Sequence, residues 1–321
     1  MLSHLRSLFL KKISLFSVLN FDGIFLNTSV VKMSTTSLKN NNTNPWWIGV
    51  PTKLVQKTTL VPGTATVEAF NSDSILTLPV YTLTFEIPCD EYAFTGKAKR
   101  HDRLRIDLGD IVKMVIPGYK PKSYSMSALR LQGGDESKDE NCTGEFDVTF
   151  KVYPNGRASG YLDSLRVGDE ISSFGLHKNK IRHKPLDSSS IVGLVAYGVG
   201  ITEAWPIAKA ELDDYNNNES KVVLLWSSRT TKDTFWNDEI SEYQQKYPNK
   251  FVLVQIFSRE KVHGCLYGRI NLDVLRKVFK EDNEADDGSR FLSVGTKPMM
   301  AMTDRMLEEI GFPIPKHALL V

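Results

Sequence analysis

Along the first half of the chain, short apolar and β-branched runs alternate with turn residues. From Thr58 to Ser127 the runs are Thr64–Val67, Ile75–Ile87, Leu104–Ile106 and Ile111–Ile116. Pro62-Gly63, Gly109-Asp110 and Pro117-Gly118 punctuate them, the pattern of strands joined by tight turns. Phe146–Tyr153 alternates apolar and polar residues, which predicts a strand with one buried face. Short strands in succession predict a small antiparallel barrel or sandwich. After Lys184 the rhythm changes. Apolar runs at Ile191–Tyr197, Val222–Trp226, Phe251–Phe257, Phe291–Val294 and Ala318–Val321 alternate with helical patterns ending at Tyr215, Tyr247, Phe279 and Ile310. Strand and helix in alternation predict an α/β doubly wound parallel sheet covered on both faces. The change falls in the polar stretch His183–Ser190. The organisation expected is residues 1–45 as leader and polar linker, 46–184 as a β domain and 185–321 as an α/β domain.

Composition narrows the class. The chain has 321 residues, 41% apolar and 24% charged, which fits about two globular domains and excludes wholesale disorder, collagen and a multi-span membrane protein. The net charge of +2 conceals an asymmetry. Residues 1–42 hold Arg6, Lys11, Lys12, Lys32 and Lys39 against Asp22, so the remainder is slightly acidic and shows no basic stripe for nucleic acid. Cys89, Cys142 and Cys265 are far apart and suggest neither a disulfide framework nor a cluster of metal ligands. The first residues are basic, amphipathic and acid-poor, as in an organelle transit peptide. A mitochondrial address is the expectation; the alternatives are a plastid, a disordered tail, or a cytosolic protein translated from Met33. Lys11-Lys12 and Asp22-Gly23 break the apolar stretches of the leader, so no transmembrane span is expected. The acidic loop Asp135–Glu145 reads as a solvated insertion or as a dock for a basic partner.

Five segments carry candidate chemistry. Tyr197-Gly198-Val199-Gly200-Ile201-Thr202 lies between a strand and a helix, where glycines let a phosphate reach backbone N–H groups; a plain tight turn reads equally well. Gly295-Thr296-Lys297-Pro298-Met299-Met300 repeats that placement, or is an ordinary turn with methionines as core filler. Lys122-Ser123-Tyr124-Ser125-Met126-Ser127 puts a cation, a flat ring and hydroxyls on one extended segment. That suits a ligand with both phosphate and a flat ring; a surface strand is the commoner case. Tyr153-Pro154-Asn155-Gly156-Arg157-Ala158-Ser159 ends a strand and opens a helix near Ala158, giving N–H groups for a pyrophosphate or a helix capped by Ser159. Phe257-Ser258-Arg259-Glu260 ends a strand with a phosphate-gripping arginine or a solvated charge.

In this order the segments resemble the ferredoxin–NADP⁺ reductase superfamily, most nearly its cytochrome b5 reductase-like branch, over roughly residues 58–321. The resemblance implies an N-terminal antiparallel β-barrel that binds flavin, followed by an NAD(P)-binding α/β domain. It implies that Tyr124 packs on the flavin ring, that Ser125 approaches its N5, and that Tyr124, Ser125 and Thr202 are the catalytic residues. Lys122, Gly156, Arg157, Ala158 and Ser159, with Tyr124, Ser125 and Thr202, would hold FAD. Gly198, Gly200, Arg229, Ser258, Arg259, Gly295 and Met299 would hold the nicotinamide dinucleotide. Ser258-Arg259 matches the pair that binds the 2′-phosphate in NADPH-using relatives, so NADPH is the expected donor and NADH the alternative, with Glu260 as a competitor for the arginine. No metal is expected.

The chain also departs from the family pattern. Lys122 replaces an arginine and loses its forked grip. Ala128 stands where the closing serine is usual, Tyr197 and Glu203 where glycine and proline are usual, and Val294 where a cysteine lies beside the nicotinamide. Tyr197 is expected to narrow the dinucleotide cleft. The activity implied is an FAD-dependent oxidoreductase, a monomer that passes a hydride from NAD(P)H to FAD and then electrons to a haem protein, an iron–sulfur protein or a small molecule. The departures favour an alternative: a flavin- or nucleotide-binding assembly or sensor factor with little turnover, or a barrel that has lost its flavin.

Overall fold

The structure, a computed structural model, describes residues 45–64, 76–86, 111–132, 143–176, 191–213, 220–280 and 289–312. The leader, the acidic loop, the stretch His183–Ser190, the runs at Thr64–Val67 (beyond Thr64) and Leu104–Ile106, and the run at Ala318–Val321 lie outside the described residues. All described elements belong to one compact unit, Thr43–Val321.

Among the described residues, seven strands form an antiparallel sheet: β1 (Pro45–Val61), β2 (Val80–Glu86), β3 (Ile111–Met114), β4 (Lys122–Ser125), β5 (Ala128–Gln132), β6 (Thr143–Lys151) and β7 (Glu170–Leu176), in the order β4-β3-β7-β1-β2-β6-β5. The sheet rolls up. Although β4 is an edge, its Tyr124 ring meets Phe150 of β6 at 6.4 Å. Leu54, Leu83, Phe85, Val112, Met114, Phe146, Val148 and Ile171, from β1, β2, β3, β6 and β7, share one buried core. Strand β1 was not legible before Thr58. It changes partner along its length, pairing with β7 through Pro45–Lys53 and with β2 from Leu54, and irregular register interrupts both ladders. Such bulges break the period-two alternation that marks a strand. Of the run at Ile75–Ile87, the described part, 76–86, is strand from Val80 to Glu86. A short helix, α1 (Arg157–Ser164), follows β6.

The second sheet is parallel, with β8 (Ile191–Tyr197), β9 (Lys221–Ser228), β10 (Phe251–Phe257), β11 (Leu266–Tyr267) and β12 (Arg290–Val294) in the order β11-β10-β9-β8-β12. Strand β8 is buried from Ile191 to Ala196, as expected for a strand covered on both faces. On one face Val192, Leu194 and Ala196 pack with Trp205 and Ile240, under α2 (Ile201–Asp213) and α3 (Asn237–Lys246). On the other, Ile191 and Val195 pack with Leu275 and Leu307, under α4 (Leu272–Phe279) and α5 (Lys297–Glu309). Asn271 caps α4 by accepting the Val274 N–H at 2.9 Å, which fixes where that helix starts. Val61 and Val80 of the rolled sheet join the core under α2, so the two sheets share apolar packing.

Gly193 sits at a close approach. A Cβ there would lie 2.3 Å from the Phe291 ring. That ring is hemmed in by Phe279 and Phe312, at centroid distances of 5.0 and 4.7 Å. Gly193→Ala is expected to cost about 1–3 kcal/mol through overpacking, read as a lower denaturant midpoint at an unchanged slope.

Candidate functional site

One cavity of 1360 Å³ runs between the rolled sheet and the carboxyl ends of the parallel strands. It exceeds the usual range of about 300–1,000 Å³ for a single small-molecule site. Every candidate residue from the sequence lines it: Lys122, Tyr124 and Ser125; Gly156, Arg157, Ala158 and Ser159; Gly198, Gly200 and Thr202; Arg229, Ser258 and Arg259; Gly295 and Met299. Tyr197 and Val294 line it as well.

On the rolled-sheet side, β4 pairs antiparallel with β3, placing Tyr124 opposite Val112 and Lys122 opposite Met114. Burial pushes the Tyr124 phenol up to about 12, so it stays protonated and able to donate near neutral pH. Ser127, one place before the position where a closing serine is usual, is buried and shares a hydrogen bond with Thr149 at 2.8 Å; Thr149 in turn meets Thr82 at 2.8 Å. Ser127 thus ties the end of the β4 segment to β6 and β2.

The turn before α1 is built by backbone. Asn155 takes a φ of 60°, and the Gly156 N–H donates to the Tyr153 carbonyl at 2.9 Å. Ser159 is not the helix cap expected from sequence; Gly156 is, with no side-chain cap. The Ser159 hydroxyl accepts the Tyr153 N–H at 3.2 Å and donates to the Gly156 carbonyl at 3.3 Å. It fills the space a Cβ on Gly156 would need, 2.4 Å away. The first N–H groups of α1 therefore stay open for an anion, and Arg157 is beside them.

On the parallel-sheet side, a 3₁₀ turn over Gly198–Gly200 leads into α2. Gly198 has a φ of +55°, and its carbonyl accepts the Trp226 indole N–H at 2.9 Å. A Cβ on Gly200 would fall 2.4 Å from the Val294 carbonyl oxygen. That contact brings the ends of β8 and β12 together. Pro206, inside α2, cannot donate to the Thr202 carbonyl at the cavity. The Tyr197 ring lies against Gly295, 2.9 Å from where a Cβ would be, and its hydroxyl shares a 2.7 Å hydrogen bond with Thr303 of α5. The ring braces α5 as well as facing the cleft. Glu260 does not compete for Arg259: its carboxylate accepts the Thr231 N–H at 2.7 Å and the Thr231 hydroxyl at 2.9 Å. Among the described residues, Arg259 makes no ion pair.

Arg229 lines the cavity and is also tied into its wall. It donates to Asp233 at 2.6 and 3.0 Å and to the Leu76 carbonyl at 2.8 Å. Lys151, the last residue of β6, reaches the same carboxylate at 3.4 Å. Burial alone pushes the Asp233 carboxyl up, but hydrogen bonds from Arg229 and the charges of Lys151 and Arg229 outweigh it and hold the group below its ordinary value. Burial pushes the Lys151 ammonium down, against the pull of Asp233, and the Arg229 charge adds to that push. Sequence reading gave Lys151, Tyr119 and Ser228 no role, although all three line the cavity. Lys151 had a signal: it lies within the alternating run Phe146–Tyr153, and in the fold it is only 9% exposed. The Ser228 hydroxyl is buried and has no hydrogen-bond partner, the state of a group reserved for a ligand or a water.

A family model described as an oxidoreductase NAD-binding domain matches residues 194–305. The NADH-cytochrome b5 reductase 1 of Dictyostelium discoideum is 35% identical over 202 residues, spanning 60% of this chain and 68% of that one. The chain belongs to the cytochrome b5 reductase-like branch of the ferredoxin–NADP⁺ reductase superfamily. It is an NAD(P)H-dependent flavoprotein oxidoreductase, which moves electrons from a nicotinamide dinucleotide to a flavin. The NADH-cytochrome b5 reductase 1 of Candida glabrata is 26% identical over 208 residues, 64% of this reductase and 68% of the relative. The CS-b5R domains of human Ncb5or, in the NAD⁺ form, share the fold with a TM-score of 0.62 at 18% identity, covering 86% of this chain and 69% of that one.

The residues present fit both cofactors of the family: open helix N–H groups beside Arg157, two glycine turns at strand ends, and the buried, unpartnered Ser228 hydroxyl. Asp233→Asn is expected to cost about 3 kcal/mol, because it leaves two cations facing each other with no counter-charge. Since folding depresses the Asp233 value, this stabilisation is complete above the unfolded-state value of about 3.9 and is lost as the pH falls below it. The gap in denaturant midpoint between wild type and variant should therefore close in acid.

Proposed function

We propose that this reductase draws its electrons from NADPH and passes them from FAD to a separate haem protein. Bound FAD would supply the chemistry of accepting two electrons as a hydride and releasing them singly. The chain's own residues bind, orient and shield. The Tyr124 ring, edge-on to Phe150, offers its flat side to a flavin. Ser125, the last residue of β4, stands next to it for the N5 position, and Thr202, at the start of α2, lines the same cavity. Val294 offers a methyl-bearing wall where a thiol is usual.

The observation that carries the choice of donor is the end of β10. Arg259 is exposed at the cavity, Ser258 is beside it, and Glu260 is held by Thr231. A free guanidinium can grip a 2′-phosphate by two hydrogen bonds. The relatives' names, NADH-cytochrome b5 reductase, favour NADH as the second reading. They also support a haem protein as acceptor.

Anaerobic stopped-flow reduction with each coenzyme tests this. NADPH is expected to bleach the flavin at lower concentration than NADH. Arg259→Ala should weaken NADPH by about tenfold, the scale of one charge-assisted hydrogen bond, and leave NADH unchanged. Equal loss for both coenzymes would mean that Arg259 does not read the 2′-phosphate. In the same assay Val294→Cys is expected to speed bleaching at saturating coenzyme; an unchanged rate would show that this wall does not limit transfer.

A further inference from the structure

We propose that Tyr119 is a positioning residue for the flavin pyrophosphate, its ring gathering Lys122 and Arg157 into one anion-gripping pair. The inference rests on the reading of this cavity wall as a flavin site.

The placement of the ring follows from a tight turn. The Tyr119 N–H donates to the Ile116 carbonyl at 3.0 Å, with Pro117 second in the turn and Gly118 third at a φ of +65°. Proline followed by a residue of positive φ is the signature of a type II turn, and this turn presents the ring at the cavity. The ring is 36% exposed, so packing of the core does not explain it. Instead two cations converge on it. Lys122 Nζ is 5.4 Å and Arg157 Cζ 5.9 Å from the ring centroid, both within the roughly 6 Å range of a cation–π contact.

The two cations come from different elements. Lys122 opens β4 and Arg157 opens α1, and the Tyr119 ring meets both. Among the described residues neither pairs with a carboxylate. Two like charges brought to one place repel until an anion arrives, and the negative face of the ring offsets part of that repulsion beforehand. The ring also restrains a flexible lysine stem. An arginine at position 122 would bring a planar fork already oriented for phosphate; a lysine brings a mobile point charge. Tyr119 supplies the orientation that the lysine lacks, which lowers the entropy lost on binding.

The test is titration of the full-length chain, stripped of flavin, with FAD, FMN and riboflavin, following flavin fluorescence. Tyr119→Leu is expected to weaken FAD and FMN by about tenfold each, as two exposed cation–π contacts predict, and to leave riboflavin, which has no phosphate, unchanged. Tyr119→Phe keeps the ring and should bind all three as wild type does. Adding Lys122→Arg to the leucine variant should recover part of the loss. A defect for FAD alone would mean that the ring stacks on adenine, and would overturn the proposal. So would a phenylalanine variant as weak as leucine, or a leucine variant as tight as wild type. Wild-type protein that takes up no FAD would overturn the flavin-site reading and this inference with it; wild-type uptake with unaffected variants would overturn the inference alone.

Discussion

The cavity exists because two unlike sheets are held a fixed distance apart, and a buried carboxylate is central to holding them. Asp233 follows β9 in the parallel sheet, yet it receives Lys151 from the last position of a strand in the rolled sheet. Arg229 completes the arrangement by reaching back to the Leu76 carbonyl, just before β2. A charge this deeply buried is tolerated only when it is fully partnered, so the network tolerates little slack. Shared apolar packing through Val61 and Val80 adds area but no direction. The ion network supplies the direction, and it sits in the wall of the site it defines.

Within that frame, the binding surfaces are mostly backbone. At the Gly198 turn and at the start of α1, side chains spend their hydrogen-bonding capacity on shaping the loop: Ser159 on Tyr153 and Gly156, Trp226 on Gly198. The N–H groups so exposed are rigid before any ligand arrives, which limits the ordering cost of binding. The departures from the family pattern follow the same logic. Ser127 ties down the β4 segment through Thr149, and the Tyr197 ring rests on Gly295 and reaches Thr303. Both have contacts of their own, so neither is a gap in the site.

Much of this was legible in the sequence because the relevant signals are local. The runs at Phe251–Phe257 and Leu272–Phe279 coincide with β10 and α4, since unbroken apolar and amphipathic periods leave little choice of boundary. The site residues were legible because strand ends in a parallel sheet converge by geometry. Strand β1 before Thr58 and strand β7 were not legible. The first changes partners across bulges, and the second, Glu-Ile-Ser-Ser-Phe-Gly-Leu, has too few apolar positions to declare a period. The partners of Asp233 and Glu260 escaped for another reason. What a charged side chain does depends on which distant cation or N–H the fold delivers to it, and no local pattern records that.

The contact between Tyr197 and Gly295 couples the histories of two positions that lie nearly a hundred residues apart. While the tyrosine is present, position 295 has no room for a side chain. With glycine at 197, the Thr303 hydroxyl would keep only the Met299 carbonyl of its own helix, and a void would open beneath the first turns of α5. Neither position can drift freely while the other stays as it is, so a lineage that acquired the tyrosine would find the way back obstructed.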